Sequence, residues 1–123
     1  MAGYIDGFVI AVPRKKLGEY KKMAKLCSKV WAEHGALSTY ECMEDDVKKG
    51  KLTSFPQAVK LKKGEVVFFS FITYKSKADR NRVNKKAMND PRLANLMDHK
   101  KLPFDSKRMI WGGFKPVIKK VKG

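Results

Sequence analysis

Six residues of this chain combine a chemistry-bearing type with a placement that lets most of them meet. They are Asp6 and Gly7 near the start, Glu41 in the middle, and Arg108, Gly112 and Gly113 near the end. A carboxylate set beside paired glycines is open to a small ligand, because a strand glycine carries no side chain to hold the ligand off. An arginine fork nearby suits a carboxylate or phosphate, which it grips through two parallel hydrogen bonds. Together the group would form the polar end of a pocket for a small organic molecule between sheet and helices. Each residue also has a plainer role. The glycines can serve packing or a bulge, Asp6 can bond nearby backbone, Arg108 can pair with Asp105 or another acid, and Glu41 can face water from an edge strand.

Other reactive types lack partners. Cys27 and His34 share one side of a helix, but seven residues at 1.5 Å rise separate them by roughly 10 Å, too far for a nucleophile–base pair. A buried thiol and a helix-end histidine fit them better. Glu41 and Cys42 are strand neighbours and point to opposite faces. His99 sits in a loop with no visible partner. The acidic run "EDD" at 44–46 reads as a solvated turn, since it lacks the spaced ligands of a calcium loop. No metal constellation, phosphate-binding glycine loop or Ser-His-Asp pattern occurs, so no cofactor is expected.

The elements that must position these residues follow from periodicity. "YIDGFVIAV" (4–12) is a strand closed by Pro13. From 14 to 34 the period becomes helical, with Leu17, Tyr20, Met23, Ala24, Leu26, Cys27, Val30 and Trp31 on one half of the wheel. Lys21, Lys22, Lys25 and Lys29 fall on the other half, and Gly35 is a natural terminator. A strand over 36–43, a polar connection with a short helix opened by Ser54, and a strand over 65–74 come next. Ser76 caps a helix that stops before Pro91, and "KRMIWGGF" (107–114) is the last strand. Within it Lys107 and Arg108 would point to opposite faces, with Trp111 on the face away from Arg108, in a core or an interface.

The order βαββαβ predicts an α+β, ferredoxin-like fold with a four-stranded antiparallel sheet, strands 1 and 3 central. Strand 4 then runs beside strand 1, with Asp6-Gly7 opposite Gly112-Gly113. The two central strands are apolar on both faces: Val66, Phe68 and Ile72 point one way, Val67, Phe69 and Phe71 the other. Two helices cover one face, so a second copy of the sheet is the economical cover for the other. Burying three such side chains contributes roughly 5–9 kcal/mol before association costs. A homodimer is predicted.

At 123 residues the chain is read as one domain, 1–123. It is 43% hydrophobic and 33% charged, with net charge +16 and a pI near 10.0. The excess consists of 23 lysines against 5 arginines, a composition suited to loose anion binding or a solvated surface rather than bidentate base reading. Lys21, Lys22, Lys25 and Lys29 are the candidates for polyanion or nucleic-acid binding, the second functional reading. No signal segment or membrane span is visible, and two cysteines without paired spacing read as reduced thiols in a cytoplasmic protein.

"YIDGFVIAVP", "ECMEDDV" and "PFDSKRMIWGGF" together resemble the YbaA-like family of bacterial proteins, a domain of unknown function, nearly end to end. The resemblance implies the dimeric α+β-barrel superfamily, in which ferredoxin-like subunits join their sheets in a shared barrel. Ser106 stands where the family pattern has glycine, and Trp111 where it has tyrosine. The resemblance implies no activity, substrate or catalytic residue.

Overall fold

The computed structural model describes residues 2–96 and 101–123. Its first strand, β1 (Tyr4–Pro13), ends where Pro13 turns the chain into a short 3-10 turn and then into α1 (Leu17–His34). α1 stops at Gly35, whose φ of 124° is open to glycine, and the Ala36 amide bonds back to the Trp31 carbonyl. β2 (Ser38–Met43) follows, then a connection containing α2 (Phe55–Ala58), whose Ser54 cap accepts from the Gln57 amide. β3 (Glu65–Tyr74) leads to α3 (Lys77–Met88), capped by Ser76 through the Asp79 amide. β4 (Ile110–Phe114) completes an antiparallel sheet in the order β2-β3-β1-β4, the ferredoxin-like arrangement predicted.

The register assigns each strand residue to a face. Tyr4, Asp6, Phe8, Ile10 and Val12 of β1 pair with Tyr74, Ile72, Ser70, Phe68 and Val66 of β3. This side carries the helices: Ile10, Val12, Val66 and Phe68 pack with Tyr20 and Ala24 of α1, while Tyr4 and Tyr74 pack with Val83 of α3. Val30, Ala87 and Leu93 join the two helices in a satellite core around Cys27.

The second face is covered in part by its own chain. Val59 and Leu61, just after α2, close over Val9, Ala11 and Val67. Beyond them an aromatic row remains, in which Phe55 meets Phe69, Phe69 meets Phe71, and Phe71 stacks on Tyr40 at 4.8 Å. Ile110 and Phe114 extend that open face along β4, with Phe114 65% exposed. Residues 115–123 leave β4 without regular structure, and their Val117, Ile118 and Val121 are exposed.

Several boundaries shift from the sequence reading: β2 begins at Ser38 rather than 36, and residues 14–16 form a 3-10 turn before α1. β4 begins at Ile110, and Lys107 and Arg108 lie in turns before it. The Asp105 carboxylate accepts from the Lys107 amide, and the Asp105 carbonyl accepts from the Arg108 amide. These local bonds compete with the ladder and delay the start of the strand. Trp111 correspondingly shares the helix face with Phe8, its partner across β1, and remains largely exposed at the sheet edge.

Candidate functional site

Asp6-Gly7 does face Gly112-Gly113: Asp6 pairs with Gly113 and Gly7 with Gly112. Strand alternation nevertheless divides them between two faces. Asp6 and Gly113 lie on the helix side. A Cβ at Gly113 would fall 2.7 Å from Cε2 of Tyr4, so this glycine makes room for a buried ring. Gly7 and Gly112 lie on the open face, where their would-be Cβ atoms meet only the Phe114 ring, at 3.9 and 3.7 Å.

Asp6 is 1% exposed and closed in by α3. Its Oδ1 lies 3.6 Å from Nη1 of Arg80, whose guanidinium also sits 4.9 Å from the Tyr4 ring centre and donates to the Tyr4 hydroxyl at 3.2 Å. Next to it, Asn84 Oδ1 accepts from Trp31 Nε1 at 2.9 Å and from the Tyr74 hydroxyl at 3.0 Å. Burial raises the Asp6 carboxyl above its ordinary value, against the opposing pull of Arg80, Asn84 and Tyr74. Arg80 escaped sequence reading, although Arg80, Val83, Asn84 and Ala87 form one i, i+3, i+4, i+7 stripe of α3.

Arg108 is fully engaged elsewhere. Nη1 and Nη2 donate to the two carboxylate oxygens of Glu65 at 2.8 and 2.6 Å, Nε donates to Asp105, and Nη1 reaches the Lys60 carbonyl at 3.0 Å. This fork fastens the turn before β4 to the start of β3, and it holds the Glu65 carboxyl below its usual range. His34 bonds Asp90 at 2.9 Å, and Arg92 bridges Asp90 to Glu33. Cys27 is packed among apolar side chains, and burial pushes its thiol up to about 11. His99 lies outside the described residues. No metal-ligand group occurs among the described residues.

Glu41 has a different setting. It stands on the helix face of β2, opposite Ser70, at the mouth of a cleft of about 540 Å³ between α1 and the sheet edge. The buried Tyr20 hydroxyl donates to Glu41 Oε1 at 2.6 Å, and Phe68, Ala24 and Met43 supply an apolar lining. Although the stem of Glu41 is open to water, its carboxyl is turned inward, and lost hydration there outweighs the Tyr20 bond and raises it above the ordinary carboxylate value. Burial and the Glu41 charge drive Tyr20 strongly upward, so it stays a neutral donor. Lys21 and Lys25 line the same cleft, whereas Lys22 and Lys29 are exposed on α1 away from its lining. Tyr20 escaped sequence reading because its aromatic type at a core spacing of α1 looks purely structural.

A family model described as "Protein of unknown function (DUF1428)" matches residues 3–106. The "Uncharacterized protein YbaA" of Escherichia coli (strain K12) is 46% identical over 115 residues, covering 94% of this chain and 97% of that protein. Its counterpart in Shigella flexneri matches to the same extent. Among solved structures, the "De novo designed protein Foldit4" aligns with 94% of the chain at 14% identity and a TM-score of 0.43. No helix among the described residues is long and apolar enough to cross a membrane. By its match over most of its length, the chain belongs to the DUF1428 family, and it is closely related in sequence to the uncharacterised protein YbaA.

Proposed function

We propose that the protein is a cytoplasmic homodimer that binds, and exchanges a proton with, a small organic anion in the cleft between α1 and β2. The carrying observation is the Tyr20–Glu41 pair at 2.6 Å beneath Lys21 and Lys25. The lysines attract an anion. Tyr20 keeps one Glu41 oxygen oriented, and a carboxyl of raised basicity is suited to take up and return a proton. The open aromatic face of the sheet supports the dimer, since so large an apolar surface is unusual on a monomer. Asp6, Gly7, Arg108, Gly112 and Gly113 hold the frame of the subunit in this reading, and Glu41 is the pocket residue.

The test is a thermal-shift screen of small mono- and dicarboxylates at physiological salt, followed by calorimetry on the hits. A true ligand loses at least roughly tenfold in affinity in Lys21→Ala/Lys25→Ala and retains binding but loses turnover in Glu41→Gln. Hits that ignore both variants would place the ligand elsewhere. Polyanion binding is the second reading, favoured by four exposed α1 lysines that make no ion pair among the described residues. It predicts nucleic-acid binding that survives from 50 to about 150 mM salt, with a steep slope, and that falls on reversing Lys22 and Lys29.

A further inference from the structure

We propose that the C-terminal tail of one copy, residues 115–123, docks into an acid-rimmed apolar groove on a second copy; this rests on the homodimer proposed above. The groove, about 230 Å³, lies on the open face beside the end of β2, with Cys42, Phe55, Val67 and Phe69 in its wall and Glu44 and Asp45 at its rim. Asp46 follows directly, so three consecutive acids stand at one spot on a chain of net charge +16. None of the three has an ion-pair partner among the described residues.

The tail, "KPVIKKVKG", has the complementary character. Val117 and Ile118 are 88% and 87% exposed, and Val121 is exposed too, an arrangement that gains nothing in water. Lys115, Lys119, Lys120 and Lys122 are interleaved with them, also without ion pairs among the described residues. Three apolar side chains for an apolar groove and four cations for three acids match in both respects.

Geometry selects the second copy over the tail's own. The tail leaves β4 at one edge of the sheet, and the groove flanks β2 at the opposite edge. Phe114 pairs with Ile5, which pairs with Thr73, so the tail also starts at the other end of β3 from Val67. To reach its own groove the tail would have to cross the open face diagonally and cover the surface that the dimer needs. In a face-to-face dimer whose twofold axis runs along the strands, the β4 edge of each sheet comes beside the β2 edge of the other. Nine residues, extending to roughly 30 Å, then reach the partner's groove without crossing the interface.

Cys42 makes the test direct. In the full chain carrying Cys27→Ala, either Ile118→Cys or Val121→Cys is introduced and oxidised with diamide at low protein concentration. The expected product is a covalent dimer in which mass spectrometry finds the tail position joined to Cys42. The Cys27→Ala parent, treated alike, accounts for any Cys42–Cys42 link. Changing Glu44, Asp45 and Asp46 to lysine should lower the yield roughly fivefold. Sedimentation of the reduced variants reports the oligomer independently. A dimer by sedimentation with no tail-to-Cys42 link overturns the docking and leaves the dimer standing. A monomer closed on itself by that link overturns the dimer and gives the groove to the chain's own tail. A monomer without the link removes both.

Discussion

Gly113→Ala should be far more damaging than Gly112→Ala, though the two sites are adjacent on an edge strand. At Gly113 the new methyl would sit 2.7 Å from Cε2 and 2.9 Å from Cζ of Tyr4, nearer still to its hydroxyl. The ring has nowhere to swing. It is buried, it lies against the Arg80 guanidinium, and its hydroxyl accepts from Arg80 at 3.2 Å. Overpacking of this kind costs about 1–3 kcal/mol. Displacing the ring also forfeits a hydrogen bond from a charged donor, about 1.5–3 kcal/mol. A total near 3 kcal/mol is expected, because the ring keeps part of its burial. At Gly112 the nearest atom is a Phe114 ring carbon at 3.7 Å, an ordinary contact. Alanine there should be neutral or stabilise by about 0.5 kcal/mol through the unfolded chain. Urea unfolding at fixed protein concentration, followed by far-ultraviolet dichroism, distinguishes them. With m near 2 kcal/mol/M, the Gly113 variant should lose roughly 1.5 M in midpoint and the Gly112 variant should not move down. Tyr4→Leu should recover part of the loss in the double variant. Equal midpoints for the two alanines, or strict additivity with Tyr4→Leu, would refute the assignment of Gly113 to Tyr4.

Glu41→Gln keeps an acceptor for Tyr20 and removes the charge. Because the folded-state carboxyl is raised, its favourable contribution is complete at low pH and is lost as pH rises through the folded value. The variant should therefore melt higher than the parent at pH 7, with the gap closing below pH ~4; a gap that widens on acidification contradicts this. Arg108→Ala leaves Glu65 without its bidentate partner and should cost roughly 3 kcal/mol in equilibrium unfolding. Arg108→Lys should recover less than half of that, since an ammonium cannot bridge both oxygens, and full recovery would show that charge alone suffices. Phe71→Glu places a charge in the aromatic row and should shift sedimentation from dimer to monomer with an unchanged dichroism spectrum. An unaltered dimer would exclude this face as the interface.

The architecture was legible because its signals are local and repetitive. The two-faced pattern of "FVIAV" and "VVFFSFI" identified the central strands, and the α1 wheel separated Tyr20, Ala24 and Val30 from the lysines. The Asp6–Gly113 pairing followed from topology alone. What escaped is chemistry between distant positions. Nothing in the local pattern links Asp6 to Arg80, Tyr20 to Glu41 or Arg108 to Glu65, since each pair depends on how helices and turns settle on the sheet. The late start of β4 escaped for the opposite reason. Asp105 satisfies two amides within its own turn, and strand alternation alone does not reveal that competition. The partial cover from Val59 and Leu61 was hidden in a connection that reads as polar.

Buried Asp6 bears on mispairing during folding. A β1 shifted by one residue would place Ile5, Gly7, Val9 and Ala11 beneath the helices instead of Asp6, Phe8, Ile10 and Val12, a smaller set but still an apolar one. Asp6 raises the cost of that slip further, because the shift would strand its carboxylate against the aromatic row and leave Arg80 enclosed under α3 without a counter-charge. One acidic residue, seventy-four positions from its partner, thus adds an electrostatic penalty to the packing loss that a wrong alignment already carries.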